Sequence, residues 1–388
     1  MIIEFGIAGP NDDAAIRRLL AENPMPGAVT VSFEREPDYF LGHGVPGDRC
    51  ITVKAVDAED GNLAGIVSLA SGERFVGGKP RPVGYVGGLR VDRRYRGAGI
   101  PLRAMRYLRE LVSGVNGADN SGERWPDVWF SVLADENGDA VRIFTSRPRP
   151  SFPELVRVAR IRTLGILTRR NALWSRDLSR LPYTGSRTRP FLRAGGPEDL
   201  PAIAGFLRDH APDREFFPVY RADHFSGDTR TPGFLPRDFL LAFDGNEIVG
   251  VCGVWDQSGF KQTVVHGYRG RLARLRPLFN TMAPVVGMKR LPGPGERLDS
   301  VTLCFVAIKN DDRRVFRALL RRAVHDAYAA GKPYLLAGFC EGDPLLRVAS
   351  RFRHIGYRST MYAFTFDQTR EPDAFDRRKI PYVEIAAL

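Results

Sequence analysis

Cysteine is scarce and scattered. Cys50, Cys252, Cys304 and Cys340 are the only four in 388 residues. They form no CxxC pair, which argues against a disulfide framework or a thiolate zinc site and leaves four buried thiols. The six histidines, His43, His210, His224, His266, His325 and His354, include no HExxH or short pair, so no metal is expected. No apolar run approaches the roughly 18 to 20 residues that cross a bilayer, and no membrane span is expected. Met1-Ile2-Ile3-Glu4-Phe5 has no basic start and no long apolar stretch, and reads as a first strand rather than a signal peptide. A cytoplasmic protein is expected. Lysine is sparse too: arginine supplies fifty of the 57 basic residues, against 45 acidic ones, for a net charge of +12. A GC-rich genome produces that skew, so part of the charge reports codon composition, and nucleic acid is not the expected partner.

At this length two domains are expected, each of somewhat under 200 residues. An internal repeat supports the division. Pro10-Asn11-Asp12-Asp13-Ala14-Ala15-Ile16 matches Pro197-Glu198-Asp199-Leu200-Pro201-Ala202-Ile203 as PxDxxxI, and Asp60-Gly61-Asn62 matches Asp244-Gly245-Asn246, at offsets of 187 and 184 residues. Each repeated Asp is expected to cap the helix that follows it, and each Asp-Gly to turn a hairpin. A duplicated mixed α/β unit is implied, with long strands at 82–91 and 300–308. The second copy carries an insertion at about 257–298 with the basic run Arg269 to Arg276, read as a solvated helix or as an acceptor-binding or anionic-surface element. The linker falls near 179–189, inside an arginine-rich stretch from Arg157 to Arg193.

The informative segment runs from Tyr85 to Leu102. An apolar strand ends, a basic loop with Gly97 and Gly99 follows, and an amphipathic helix begins at about Ile100. Strand, glycine loop and helix start together bind anions, because the helix N-terminus offers unpaired N–H groups and glycine lets backbone approach phosphate oxygens. Pro101 in the first turn has no N–H to lose. Arg93, Arg94, Arg96 and Arg103 can pair with phosphates. Neither the Rossmann GxGxxG nor a P-loop Lys-Ser/Thr is present.

Arg94-Tyr95-Arg96-Gly97-Ala98-Gly99 resembles the Q/R-x-x-G-x-G/A signature of the acetyl-CoA-dependent N-acetyltransferase (GNAT) family. Further on, Asn137 to Phe144 resembles that family's N-x-x-A-x-x-x-Y helix, and Gly356-Tyr357 resembles its closing G-F. The resemblance implies two tandem GNAT folds of α/β (mixed α+β) class, at 1–180 and 181–388, each a mostly antiparallel twisted sheet flanked by helices. It implies acetyl-CoA or another acyl-CoA as cosubstrate. Leu89, Arg90 and Val91 would pair with the pantetheine amides, and Arg94, Tyr95, Arg96, Gly97, Ala98, Gly99 and Ile100 would hold the pyrophosphate. Asn137 would touch the pantetheine arm or cap its helix, with Phe144 on the same helix.

The acceptor expected is a small-molecule or peptide amine, attacked directly in a ternary complex, and oligomeric state is left open. Phe144 stands where the family's usual acid, a tyrosine, is found, and Tyr85 to Val91 holds no carboxylate to act as base. Substitutes are Tyr85 as donor, Glu34 (with Glu36, Asp38 and Tyr39) in the segment that often lines the acceptor site in this family, Asp135 and Glu136 just after the strand facing the cofactor, and Leu388, since tandem relatives use a terminal carboxylate. The second copy has Lys309-Asn310-Asp311-Asp312-Arg313-Arg314-Val315 at the corresponding place, with two carboxylates and no glycine, and is expected to be degenerate. The rival functions are a catalytically silent CoA sensor and an RNA or anionic-surface binder.

Overall fold

The computed structural model describes residues 2–27, 29–114, 124–145, 153–168, 190–227, 229–285, 290–367 and 375–388. The expected linker and most of the arginine-rich stretch after residue 168 lie outside them. The first half runs β1 (Ile3–Ile7), α1 (Asp13–Glu22), β2 (Val29–Glu34), β3 (Arg49–Asp57), β4 (Leu63–Val76), β5 (Lys79–Val91), α2 (Ile100–Val112), β6 (Trp129–Ala134), α3 (Gly138–Thr145) and β7 (Val156–Leu167). The second runs β8 (Phe191–Ala194), α4 (Leu200–His210), β9 (Arg214–Glu215), β10 (Phe239–Asp244), β11 (Glu247–Trp255), β12 (Gln262–Tyr268), α5 (Gly270–Met282), β13 (Ser300–Ile308), α6 (Arg313–Ala329), β14 (Tyr334–Cys340), α7 (Leu346–Ala349), β15 (His354–Phe364) and β16 (Ile380–Pro381).

The repeat seen in the sequence is present in three dimensions, with one correction. Asp12 and Asp199 do not cap the helices that follow them. Each carboxylate reaches back, Asp12 accepting from the Gly9 N–H and Asp199 from the Gly196 N–H, both at 2.8 Å. Pro10 and Pro197 each start a single 3₁₀ turn, which puts the Asp at its third position, where a side chain meets the N–H that precedes the turn. The Asp-Gly turns are as expected, with Gly61 at φ 72° and Gly245 at φ 59°.

The helices pack by periodicity. On α2 the stripe Ile100, Ala104, Met105, Leu108 and Leu111 is buried, and on α6 Val315, Phe316, Leu319, Leu320, Ala323, Val324 and Ala327 are. The strands differ from the sequence reading in one respect. The two copies do not keep separate sheets; they share one of twelve strands in the order β1-β3-β4-β5-β6-β15-β7-β14-β13-β11-β10-β8. The last strand of each half pairs with the other half: β15 lies antiparallel to β6 (Phe364↔Trp129 to Ser359↔Ala134), and β7 antiparallel to β14 (Leu167↔Tyr334 to Ile161↔Cys340). The exchanged strands also pair with each other. Among the described residues of that sheet, only β5 with β6 and β13 with β14 run parallel, and outside it β9 pairs parallel with β16.

Two further contacts join the halves. The long β4–β5 hairpin reaches the second half, where Phe216 N–H donates to the Phe75 carbonyl and Phe75 N–H to the Phe217 carbonyl, both at 2.8 Å. The buried Arg74 donates to the Phe216 carbonyl at 3.1 Å. The insertion crosses in the opposite direction. Its strand β12 pairs antiparallel with β2, from Gln262↔Glu34 to Tyr268↔Val29, forming a two-stranded ribbon apart from the main sheet. Its helix α5 buries no residue.

A half expressed alone leaves the far edge of β6 or β14 without its partner strand, and exposed strand edges aggregate. Fragments 1–180 and 181–388 are therefore expected to be insoluble, or to lack a cooperative unfolding transition, when made singly. Co-expressed, they are expected to co-purify as a folded pair. Independent cooperative unfolding of either fragment would contradict the exchanged pairing.

Candidate functional site

The site starts from a gap inside the sheet. β5 and β6 pair only at Gly84↔Trp129 and Tyr85↔Phe130, and then part. On its other side β5 is bulged: Gly87 faces Ser68 and Arg90 faces Ile66, so Gly88 and Leu89 stand against Val67 alone. Gly88 accommodates this at φ 64°, a left-handed conformation that costs glycine nothing. Beyond Tyr85 the β6 side of the strand is thus an internal sheet edge, able to take an extended, amide-bearing chain as an added strand. Leu89, Arg90 and Val91 lie on that edge.

The loop after β5 is shaped by its own ion pair and two glycines. Asp92, itself buried, accepts from the Arg94 N–H at 2.8 Å and from the Arg94 side chain at 3.1 and 2.9 Å. Burial raises the Asp92 pKa, but the bonds and charge of Arg94 outweigh it and hold the carboxyl below its ordinary value. Arg94 therefore shapes the loop through Asp92. Arg103 is occupied as well, donating to the Ile3 carbonyl at 2.8 Å. Gly97 (φ 88°) and Gly99 (φ 69°) turn the chain into α2. Among the described residues, the N–H groups of Gly97, Gly99 and Ile100 make no hydrogen bond. Three free donors at a helix start form an anion cradle, and the exposed Arg96 beside them adds charge. The side chains of Tyr95 and Ile100 are buried with Ile3, Ala55 and Ala64, and Ala98 packs against them, so these three residues face the cradle through backbone. Across the gap Asn137 Oδ1 accepts from the Ala140 N–H at 3.2 Å and caps α3, while Phe144 is half-buried against the core beneath.

Tyr85 lies at the point where the strands part, its ring 4.9 Å from that of Phe130. Its hydroxyl extends over Gly87, 2.3 Å from where a Cβ would sit, so only glycine leaves room for it there. Burial pushes the phenol up to about 12 and keeps it protonated. It makes no hydrogen bond among the described residues, which leaves a donor pointing along the strand at the bulge.

The β2–β12 ribbon brings in residues the sequence reading did not select. One step past its last pair, Gln262 and Glu34, come Lys261 on one strand and Arg35 on the other, close enough for their charges to interact. Gln262 fixes this register, exchanging hydrogen bonds of 2.9 and 2.8 Å with the backbone of Glu36. Arg35 Nη1 is buried with no hydrogen-bond partner, and the Arg35 charge interacts with Tyr85, Arg90 and Lys261. Lys261 donates to the Leu388 carbonyl oxygen at 2.5 Å, and the Leu388 side chain packs into the cluster that contains Tyr85. Burial, reinforced by Arg35, pushes Lys261 down to about 7. Glu34 is one residue from Arg35, and strand alternation sends it to the other face. There it accepts from Ser32 Oγ at 2.6 Å, with His266 Nε2 2.9 Å from the same hydroxyl. Glu36 pairs with Arg17, Asp38 caps the Phe40 N–H, Tyr39 is buried against Thr52 and Ser68, and Asp135 accepts from Thr360. No group of His, Cys, Asp or Glu among the described residues could hold a metal ion.

The second half repeats the gap but fills it. β13 and β14 pair from Ser300↔Tyr334 to Thr302↔Leu336 and then part, and β13 is bulged at Phe305, which adopts φ 53°. The chain's own residues 382–388 enter there. Glu384 Oε2 accepts from the Phe305 N–H and the Tyr382 hydroxyl, both at 2.8 Å, and Ile385 occupies the space a side chain at Gly338 would need. The carboxylates of the loop that follows are also engaged, Asp311 by Arg214 at 2.5 Å and Asp312 by the Arg314 N–H at 2.8 Å.

The chain has the GNAT fold. Saccharomyces cerevisiae N-myristoyltransferase, solved with myristoyl-CoA bound, is similar over 93% of this chain and 82% of its own, with a TM-score of 0.59 and 13% identity. A GCN5-related N-acetyltransferase from Sphaerobacter thermophilus is similar over 94% of this chain and 96% of its own, with a TM-score of 0.54 and 14% identity. No family model matches the sequence, and no curated protein matches it by sequence.

Lys261 gives a test of the ribbon that needs no ligand. Its native pKa, about 7, lies below the 10.5 of the free side chain. Between those values the unfolded chain binds more protons than the folded one, so stability rises with pH. Urea unfolding of the protein is expected to show added stability from pH 7 to pH 10 that Lys261→Met lacks. Parallel profiles for the two proteins would place Lys261 in solvent.

Proposed function

We propose that the chain is an N-acyltransferase that moves an acyl group, acetyl in the simplest case, from an acyl-CoA to an amine by direct attack in a ternary complex. The observation that carries this is the open gap between β5 and β6, joined to the free N–H groups of Gly97, Gly99 and Ile100. A ligand with a polyphosphate at one end and an amide-bearing arm at the other matches both parts. The pyrophosphate would rest on those donors with Arg96 beside them. The arm would add to the edge at Leu89, Arg90 and Val91 and pass Asn137, bringing the thioester to the bulge. The fold shared with a structure that holds myristoyl-CoA supports the same ligand class.

At the bulge the Tyr85 hydroxyl can donate to the thioester sulfur as negative charge develops there. A positioned donor of this kind is worth about 10²- to 10³-fold in turnover. Phe144 does not leave the site without a donor, because Tyr85 approaches from the strand instead of the helix. The acceptor side carries Arg35 and Lys261, two neighbouring cations, of which Lys261 also donates to the Leu388 oxygen and feels the charge of Glu384. Like charges so placed repel, and an acceptor that bears a carboxylate beside its amine relieves them. Amino-acid-like or peptide acceptors therefore fit better than polyamines.

Thioester cleavage measured over a panel of amines tests both parts. Tyr85→Phe is expected to lower kcat by about 10²-fold with acyl-CoA affinity unchanged. Arg96→Ala is expected to weaken acyl-CoA binding by about tenfold with kcat kept. KM for a carboxylate-bearing amine is expected to rise as pH passes 7 and Lys261 loses its proton, and to be raised already at pH 6.5 in Lys261→Gln. Tight acyl-CoA binding without turnover on any amine would identify a sensor instead.

A further inference from the structure

A cleft of about 540 Å³ opens on the second half between α6 and the α7 turn, away from the gap between β5 and β6. Seven arginines line it. Four come from α6, Arg313, Arg314, Arg317 and Arg321, and Arg347, Arg351 and Arg353 come from α7 and the residues after it. Leu167, Val324, Val348 and Phe352 complete the lining, and no carboxylate takes part. Of the seven, Arg314 has an ion pair with Asp312. Arg313, Arg317, Arg347, Arg351 and Arg353 make none among the described residues.

The spacing makes this more than a solvated face. Arg313, Arg317 and Arg321 follow at intervals of four along α6, so like charges stack at neighbouring positions on its surface, an arrangement that destabilises it, while Arg347 lies on the α7 turn and Arg351 two residues past its end. Arg321 is half-buried, and burial with the adjoining Arg317 charge pushes its pKa below the ordinary value. Arginine presents a planar fork that pairs with phosphate oxygens two at a time. The α6 arginines extend over about 12 Å, the length of a compact molecule. The volume falls in the range of small-ligand sites, roughly 300 to 1,000 Å³, and the apolar floor with the Phe352 ring suits a flat, uncharged group.

We propose that this cleft is a second binding site, for a small molecule carrying a chain of phosphates. It is independent of the acyl-transfer site, because the pyrophosphate cradle lies in the first half and the gap in the second is filled by residues 382–388. The phosphate chain is the recognised chemistry, whether it comes as a bare polyphosphate or as part of a nucleotide.

Calorimetric titration of the full chain with inorganic tripolyphosphate, with a nucleoside triphosphate and with a single-stranded oligonucleotide tests it. Tripolyphosphate is expected to bind, and Arg317→Ala/Arg351→Ala to weaken it at least tenfold, since each lost charged hydrogen bond is worth about that factor or more. The same variant is expected to keep its melting temperature, because only exposed, mutually repelling groups are removed. A nucleoside triphosphate that binds more tightly than tripolyphosphate would assign the floor to a base, and equal affinities would assign recognition to the phosphates alone; both support the site. The proposal is overturned if tripolyphosphate does not bind. It is also overturned if Arg96→Ala abolishes that binding and the double variant leaves it intact, or if the oligonucleotide binds more tightly than either small ligand.

Discussion

Two strands laid in the wrong half hold this molecule together. In the sheet order β6-β15-β7-β14, the edge that each half leaves open is paired by a strand of the other, β15 on β6 and β7 on β14. Buried peptide groups without partners are too costly to persist, so neither half can close its own sheet while the exchange stands. The two gaps, between β5 and β6 and between β13 and β14, are thereby fixed within one rigid layer. Whatever binds in the first is positioned against residues that belong to the second.

The gaps share their backbone and differ in what completes them. Both follow a short parallel pairing, and both have a bulge on the longer strand with one residue at positive φ. In the first half that residue is Gly88, which leaves the bulge bare. In the second it is Phe305, which pays for its strained conformation with packing: its ring meets Tyr220, Phe225, Phe234, Phe239 and Trp255 in one aromatic cluster. Its N–H is taken by Glu384, a carboxylate so buried that its pKa rises despite the three hydrogen bonds it accepts. A glycine keeps a bulge open for a ligand, whereas a phenylalanine with a carboxylate across it seals the same geometry. The second copy thus differs from the first in its filled gap as well as in its missing glycine loop.

Local features were legible in the sequence and long-range ones were not. β13 begins and ends at Ser300 and Ile308 as read, and α2 begins at Ile100, because apolar periodicity and a glycine-proline start are written in neighbouring residues. The glycine loop before α2 could be read for the same reason, though Arg94 spends its charge on Asp92, a partner two residues away that the charge count ignored. The exchange of β7 and β15 could not be read, since pairing Thr163 with Tyr357 rather than with a strand of its own half changes no local pattern. Arg35 and Lys261 escaped notice because they are 226 positions apart, and only the register of β2 on β12 makes them neighbours. The visible signal was the insertion itself, which had been read through its basic run while its chemistry lay in the strand before it.

That ribbon explains why a copy without an open gap is retained. Its strands come one from each half, and the cation beside Arg35 is supplied by the second. Arg35 alone, with a buried nitrogen lacking a partner, is a group whose desolvation is uncompensated until an anion arrives. Lys261 adds a second charge whose proton is held loosely near neutrality, so an arriving carboxylate would draw that proton tighter and gain in binding what burial had withheld. The second half contributes Lys261 from the ribbon, so the two cations come together only where β2 of one half meets β12 of the other.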